Sequence, residues 1–412
     1  MALLSLLTLT TLIILGSFIK INIGIAAIVC TLILGFFIDG QEIQQVIAYF
    51  PTSLFLTLVA VTLLFSHAQV NGTLEKITSR VIFLFRGNIF WIPICFFLLT
   101  LSLSAIGAGN IAATALVAPA AMVSAKKLKI SPFIMAIMVA NGANAGGLSP
   151  ISPTGIIASE RMAQVGLTNL SWSIFFNSLI AHSLIAIIGY LIFGGYNLFI
   201  SKEKPHQAET LGEAEAPFQW QHWVTLSIIL ALFLSVVWLK VDILVGAFIS
   251  VVLLSAFHLS DERKAIKNVP WGIIIMVCGV SMLTTSMDKA GGLGLFTDYV
   301  ARFCDQNTIV PVIGFFAALV SVYSSSSAVV LPTFLLLVPQ LVTKIPGIDP
   351  AAIASTISIS AHLVDVSPLS TVGALCLAAV SDPKDNRLLF NKMLIWGLSM
   401  TVVATIFSYL FF

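Results

Sequence analysis

The sequence predicts an all-α integral membrane protein made of two inverted repeats, each with a re-entrant helix hairpin and a broken transmembrane helix. Three observations predict it. Of 412 residues, 58% are hydrophobic and 9% charged, and the mean hydropathy is +1.04; a soluble chain is about half apolar and a quarter charged. The apolar runs are about 17 to 25 residues long and lack period-two alternation, so they are helices, because hydrocarbon obliges each span to satisfy its own backbone. Third, NAGGLSPISPTG (144–155) and DVSPLSTVG (365–373) repeat one pattern of helix breakers inside such runs.

Spans are expected near 2–19, 22–38, 52–69, 89–107, 110–124, 131–148, 172–200, 222–239, 241–257, 270–287, 308–323, 327–343, 351–364 and 388–411. The first 19 residues have no basic n-region and run into a second apolar span after Lys20, which reads as a retained helix rather than a cleaved signal. SKEKPHQAETLGEAEAPFQWQH, 201–222, is poor in apolar residues and has no helical stripe. It divides the chain into a first repeat (1–200), a cytoplasmic linker (201–221) and a second repeat (222–412). The net charge of +2 does not point to nucleic acid, and five scattered cysteines without paired spacing read as apolar packers.

The halves align. At an offset of 219, Pro51, Gly72, Leu74, Thr78, Val81 and Asn88 meet Pro270, Gly291, Leu293, Thr297, Val300 and Asn307. At an offset of 218, Ser149, Pro150, Ser152 and Gly155 meet Ser367, Pro368, Ser370 and Gly373. Such duplication is a signature of secondary transporters. If 89–124 and 308–343 are hairpins that return to the side they left, 15 of the 20 basic residues fall on one face. The other face keeps only Arg161, Lys240, Lys289, Arg302 and Lys344. The first face is then cytoplasmic, the hairpins enter from opposite sides and the repeats are inverted.

Broken helices at membrane depth expose free N–H groups at one end and free C=O groups at the other, tolerated only inside protein or along a wet cavity. Helix N-termini attract carboxylates, and carbonyls coordinate small cations. Hydroxyl and amide side chains cluster at the hairpin tips SAIGAGNIAATA (104–115) and SSSSAVVLP (324–332) and at the two breaks. The substrate-binding candidates are Asn110, Thr114, Ser149, Ser152, Thr154, Ser325, Ser326, Ser327, Ser367, Ser370 and Thr371. No Arg or Lys lies in these motifs, so a bound anion relies on dipoles, hydroxyls and a co-bound cation.

In these motifs the chain resembles the divalent-anion:sodium symporters of the ion-transporter superfamily, and within them the bacterial malonate or dicarboxylate carrier branch. GNIAATALVAP, 109–119, is similar to the first copy of the family's Ser-Asn-Thr tip, keeping Asn110. NAGGLSPISPTG is similar to its Gly-Gly-rich break, and SSSSAVVLP and DVSPLSTVG stand in the places of the second copy. The first tip reads Gly-Asn-Ile and the second is all serine. The resemblance implies a homodimer in the bacterial inner membrane, elevator-like movement, a small carboxylate held between the tips, and sodium beside each tip as coupling ion, with no other cofactor. Carried over, the first cation site involves Ser104, Asn110, Asn144, Gly146 and Gly147, and the second Ser324 and Asp365.

Asp365 sits in an apolar stretch where an acid costs about 2.5–3.5 kcal/mol to insert, and reads as a cation ligand, a protonatable coupling group or a cap of the broken helix. His362 lies three residues earlier, where it either joins that role or packs. His182 and Asn177 read as an interhelical hydrogen-bonding pair, Asp288 and Lys289 as interfacial, and Lys126, Lys127 and Lys129 as a positive-inside anchor. With no nucleotide-binding loop, zinc spacing or nucleophile with a base, an enzyme is not expected. The sequence therefore points to a cation-coupled dicarboxylate transporter. The rivals are an arsenite-type efflux carrier or a sodium/proton antiporter.

Overall fold

The computed structural model describes residues 2–18, 21–84, 89–196, 198, 217–239, 241–323, 325–380 and 383–412. Most of the expected linker, residues 201–216, and Ser324 of the second tip lie outside the described residues. Among the described residues there are helices and connections but no strands. The first ten helices are α1 (Ala2–Phe18), α2 (Ile23–Leu32), α3 (Ile43–Ile47), α4 (Thr52–Val70), α5 (Thr73–Leu84), α6 (Trp91–Leu103), α7 (Gly109–Lys127), α8 (Pro132–Gly147), α9 (Pro153–Gln164) and α10 (Ser171–Tyr190). The next ten are α11 (Trp220–Trp238), α12 (Ile243–Ala256), α13 (Glu262–Asn268), α14 (Trp271–Lys289), α15 (Gly292–Phe303), α16 (Ile309–Tyr323), α17 (Ser326–Lys344), α18 (Pro350–Leu363), α19 (Thr371–Ala378) and α20 (Pro383–Phe411).

The order of long and short elements recurs between these two series. The helices α4, α5, α8 and α9 begin at Thr52, Thr73, Pro132 and Pro153, and α14, α15, α18 and α19 at Trp271, Gly292, Pro350 and Thr371, again 218 or 219 residues on. The series interlock: α2 packs on α14 of the second, and α12 packs on α4 of the first. At the α2–α14 crossing Gly24 and Gly279 bring the backbones together, since a Cβ on either would strike the other helix's main chain.

Among the described residues, seven helical stretches are long and apolar enough to cross a membrane. The longest, Trp91–Lys127, is two antiparallel helices rather than one span. Along α8, Gly142 abuts Phe97 and Thr100, and Gly146 abuts Leu101 and Ser104, so α6 and α8 run in the same direction. The start of α7 lies against the end of α8, with Asn110 beside Gly147. The chain therefore reverses between α6 and α7. Gly107 (φ 120°) and Gly109 (φ 79°) make the reversal, in a backbone region that side chains strain to enter. The second series repeats the turn: α16 runs alongside α18, as Gly314 beside Thr356 and Ser321 bonded to Ala361 O indicate, and α17 returns from Ser326 near Asp365.

From Phe133 to Gly147 α8 is buried on every side. That enclosure lets it carry Asn141, Asn144 and three glycines, which lipid would not tolerate. The periphery is the reverse. Phe37, Ile192, Trp238, Val252 and Ile395 are exposed, as expected of helices facing hydrocarbon. The short helices α5, α9, α15 and α19 fall outside the expected spans; α5 carries Glu75, Lys76 and Arg80 in 12 residues, too polar and short to be read as a span.

Candidate functional site

The two breaks have one construction. After α8, Ser149 N donates to Gly146 O (3.1 Å) and Ser152 N to Ser149 O (2.9 Å). Ser152 Oγ donates back to Gly147 O or Ser149 O and accepts from Gly155 N (3.2 Å), capping α9. After α18, Ser367 N donates to Val364 O (2.9 Å) and Ser370 N to Ser367 O (3.0 Å). Ser370 Oγ bonds to Asp365 O or Ser367 O and accepts from Gly373 N (3.3 Å). A Cβ at Gly155 or Gly373 would collide with the carbonyl of Ser149 or Ser367. The shared Ser-Pro-x-Ser-x-x-Gly pattern is thus the covalent requirement of this loop: a serine to cap the next helix, and a glycine to let the loop carbonyl approach.

Each hairpin tip meets the break of the following helix. Asn110 Nδ2 donates to Asn144 Oδ1 (2.9 Å), its Oδ1 accepts from Ile111 N (3.0 Å), and Asn144 Nδ2 donates to His362 O (3.1 Å). Ser326 Oγ donates to Asp365 Oδ1 (2.5 Å), and Ser327 Oγ lies 3.5 Å from His362 Nε2. Thr154 Oγ1 and Ser327 Oγ are 3.1 Å apart, which joins the first break to the second tip. At the fixed offset of 218, Asn144 corresponds to His362 and Gly147 to Asp365. The first break is neutral where the second carries two ionisable groups.

A cavity of about 230 Å³ lies where these parts meet α4 and α14. The first residues of three helices line it: Gly109 and Asn110 of α7, Pro153 and Thr154 of α9, and Ser327 of α17. These N-termini bring the positive ends of their dipoles to one space, with Ile111 N, Gly155 N and Ala328 N already capped by the Asn110, Ser152 and Ser325 side chains. Among the described residues, no acidic or basic side chain lines it. Its walls are apolar, with Leu58, Phe65, Ile274 and Val277, and exposed Gln69 and Asn268 stand at one end. The arrangement suits a small anion with an apolar body.

Residues 1–147 match the family model for the dicarboxylate carrier protein MatC N-terminus. The match supports a dicarboxylate carrier, not an enzyme. No curated protein matches the chain. The matched segment contains the first hairpin and α8 and stops at Gly147, ahead of the first break.

Of the sequence-derived substrate candidates, Asn110, Thr154 and Ser327 line the cavity. The others do not. Ser152 and Ser370 are committed to their loops, as described, and Thr114 Oγ1 is turned back to Asn110 O (2.7 Å). Ser325 caps α17 through Ala328 N (3.2 Å), and Ser326 is held by Asp365. Ser149 and Ser367 are buried in the loops, and Thr371 is exposed away from the cavity. Among the cation candidates, Ser104, Asn110, Asn144, Gly146 and Gly147 form one cluster: Ser104 packs on Gly146 and Gly147, and Asn110 on Gly147. Ser104 Oγ is fully buried without a hydrogen-bond partner. An orphan hydroxyl beside a helix C-terminus, among carbonyls with spare lone pairs, fits an oxygen-coordinated cation.

Two expectations change. His182 and Asn177 are both interhelical but not partners: His182 Nδ1 donates to Asn141 Oδ1 on α8 (3.0 Å) and Asn177 to Ser355 on α18 (2.9 Å). Five residues apart on α10, they point to different neighbours. Arg161, placed by its charge at a membrane face, is fully buried. The cavity also has polar lining that the motifs omitted. Thr62, Ser66 and Gln69 of α4 line it at i, i+4 and i+7, a helical polar stripe visible within an otherwise apolar span.

Proposed function

We propose that this chain is a secondary transporter of a small dicarboxylate of the malonate or C4 class, coupled to sodium or protons. The convergence of three helix N-termini on one uncharged cavity carries the reading, because it supplies an anion site without any basic side chain. Asn110 retains one amide N–H, and the Thr154 and Ser327 hydroxyls are free to turn toward a carboxylate. The Ser104 cluster is the proposed sodium position beside the first tip, and Asp365 with Ser326 the proposed cation or proton position beside the second.

The proposal extends to a divalent-anion:sodium symporter architecture of inverted repeats, a homodimer, a bacterial inner-membrane location and elevator-type alternating access. It is supported by the shared loop construction and by the interlocked packing of α2 on α14 and α12 on α4. Gln69 and Asn268 stand at the open end of the cavity, near the basic residues Lys76, Lys264 and Lys267 in sequence. On the positive-inside assignment this conformation faces the cytoplasm. A second reading, a cation antiporter of the arsenite-type superfamily architecture, is favoured by Asp365 alone, the one buried acid among the described residues.

Uptake of labelled malonate and succinate into proteoliposomes under an imposed sodium gradient, and then a proton gradient, tests the proposal. Accumulation driven by one gradient and lost in Asn110→Ala establishes the carrier and its coupling ion. Asp365→Asn then reports on the second cation position. If neither acid accumulates under either gradient, the dicarboxylate assignment fails and antiport leads.

A further inference from the structure

Arg161 is the only buried Lys or Arg among the described residues, with none of its surface exposed. Its Nη1 donates to Gln164 Oε1 (2.7 Å), while Nε and Nη2 have no partner. The adjacent Glu160 does not supply one: its Oε1 accepts from Ser53 (3.1 Å). A buried cation with orphan donors is costly wherever it is only structural. The two free nitrogens are the pair on one edge of the guanidinium, the edge that grips a carboxylate with two parallel N–H bonds.

Its position gives that edge a use. Arg161 follows Ile157 by one turn of α9, about 6 Å along the axis, and Ile157 lines the cavity together with Val277 of α14. Cys278, next to Val277, is within electrostatic reach of the guanidinium, as is Glu160. Ile157 and Val277 therefore separate the cavity from Arg161 at the end away from Gln69 and Asn268. We infer that Arg161 is a second anion-binding point on the transport pathway, closed off here, which takes a carboxylate on its Nε–Nη2 edge when the cavity wall at Ile157 and Val277 opens to the opposite side. The inference rests on the proposed carriage of a dicarboxylate for its substrate, not for its geometry.

Two measurements test it on the full chain in proteoliposomes. The first is the half-saturation concentration for succinate presented to each face in vesicles of defined orientation. Arg161→Gln raises it tenfold or more on the face away from Gln69 and Asn268 and leaves the other face within twofold; Arg161→Lys, which keeps charge but not the fork, gives a smaller one-sided rise. Equal change on both faces, or none, overturns the inference. If Arg161→Gln does not fold, Arg161→Lys decides: wild-type half-saturation on both faces makes the arginine structural.

The second measurement needs no substrate. Cys278 is followed by mass spectrometry during exposure to an anionic and a neutral thiol reagent of similar size. Faster reaction with the anionic reagent, abolished in Arg161→Gln or weakened in Arg161→Lys, supports an anion-attracting pathway. No reaction at Cys278 under any gradient, or no preference for the anion, overturns it. Should the wild type accumulate no dicarboxylate, the substrate reading has failed, and the Cys278 result still decides Arg161.

Discussion

Asn144, like the Thr154–Ser327 pair, links the two halves of the site by hydrogen bonds. Fully buried in α8, it accepts from Asn110 Nδ2 at 2.9 Å and donates to His362 O at 3.1 Å. Asn144→Ala removes both bonds at once and leaves the buried Asn110 amide N–H without its partner, while the His362 carbonyl keeps the Val364 N–H. The orphan costs about 1–3 kcal/mol and the second lost bond about 1 kcal/mol, so the variant should lose about 2–4 kcal/mol. The Asn110–Asn144 bond is separable from the rest by a double-mutant cycle. In an Asn110→Ala background, Asn144→Ala breaks only the bond to His362 O, and the coupling energy should be about 1–3 kcal/mol. The assay is reversible unfolding in mixed micelles followed by tryptophan fluorescence, with succinate uptake measured on the same preparations. Asn144→Asp should be no milder, since it keeps the acceptor for Asn110 but sets a carboxylate against the His362 carbonyl. A loss below about 0.5 kcal/mol in Asn144→Ala, or additivity with Asn110→Ala within that margin, would refute the claim that this chain of amides joins the first tip to the second break.

Three further outcomes are expected. Gly146→Ala should destabilise by about 1–3 kcal/mol as overpacking, despite a helix propensity that favours alanine by about 1 kcal/mol, because its Cβ would strike Leu101 O and lie 2.8 Å from Ala105 N; unfolding midpoints check this, and unchanged stability would mean that α6 and α8 are looser than described. Ser152→Ala and Ser370→Ala should each cost about 1–2 kcal/mol through loss of an N-cap, with uptake affinity far less affected than in Asn110→Ala; a larger effect on affinity than on stability would place these serines on the substrate. At the surface, Asp261 caps α13, and the Lys264 backbone N–H, with smaller help from the Lys264 charge, holds its carboxyl below its ordinary value of 3.8. A lowered folded value means that this contribution is complete above the unfolded value and fades as pH falls through the folded one, so proteolysis at 261–268 should accelerate below about pH 4 and lose that acid sensitivity in Asp261→Asn, which still caps.

Much of the fold is legible in composition and period. The fourteen expected spans correspond to α1, α2, α4, α6, α7, α8, α10, α11, α12, α14, α16, α17, α18 and α20, because lipid permits few alternatives to a helix in an apolar run of that length. The breaks are legible because serine, proline and glycine stand at fixed spacing in both. The facing of single side chains is not. Ser152 and Thr154 are two residues apart and equally hydroxylated, yet one closes its own loop and the other lines the cavity, since tertiary contacts set the rotation of α9. Arg161 shows the same limit. Its charge argues for water, and only the packing of α9 against its neighbours, α4 and α17 foremost, encloses it. The α4 stripe of Thr62, Ser66 and Gln69 was open to detection, and it escapes a search confined to helix breakers.

The difference between the breaks bears on charge. On the proposed reading, a dicarboxylate enters a cavity whose lining is uncharged, so its charge is met by helix dipoles and co-bound cations. A monovalent cation beside Ser104 contributes one full positive charge, because Gly147 and Asn144 are neutral. A cation or proton beside Asp365 contributes none, because the carboxylate already at that break cancels it. Two filled positions therefore offset one unit of substrate charge rather than two. Asp365→Asn with its cation bound would offset both, if the amide still held the ion, whereas with proton coupling it would simply delete the site. The same substitution thus separates the two coupling chemistries: in the first case the cation gradient still drives uptake and the charge carried per dicarboxylate, set by the ions moved, is unchanged, and in the second the proton gradient loses its influence. The Gly147-to-Asp365 difference between otherwise matching loops is where the two halves cease to be interchangeable.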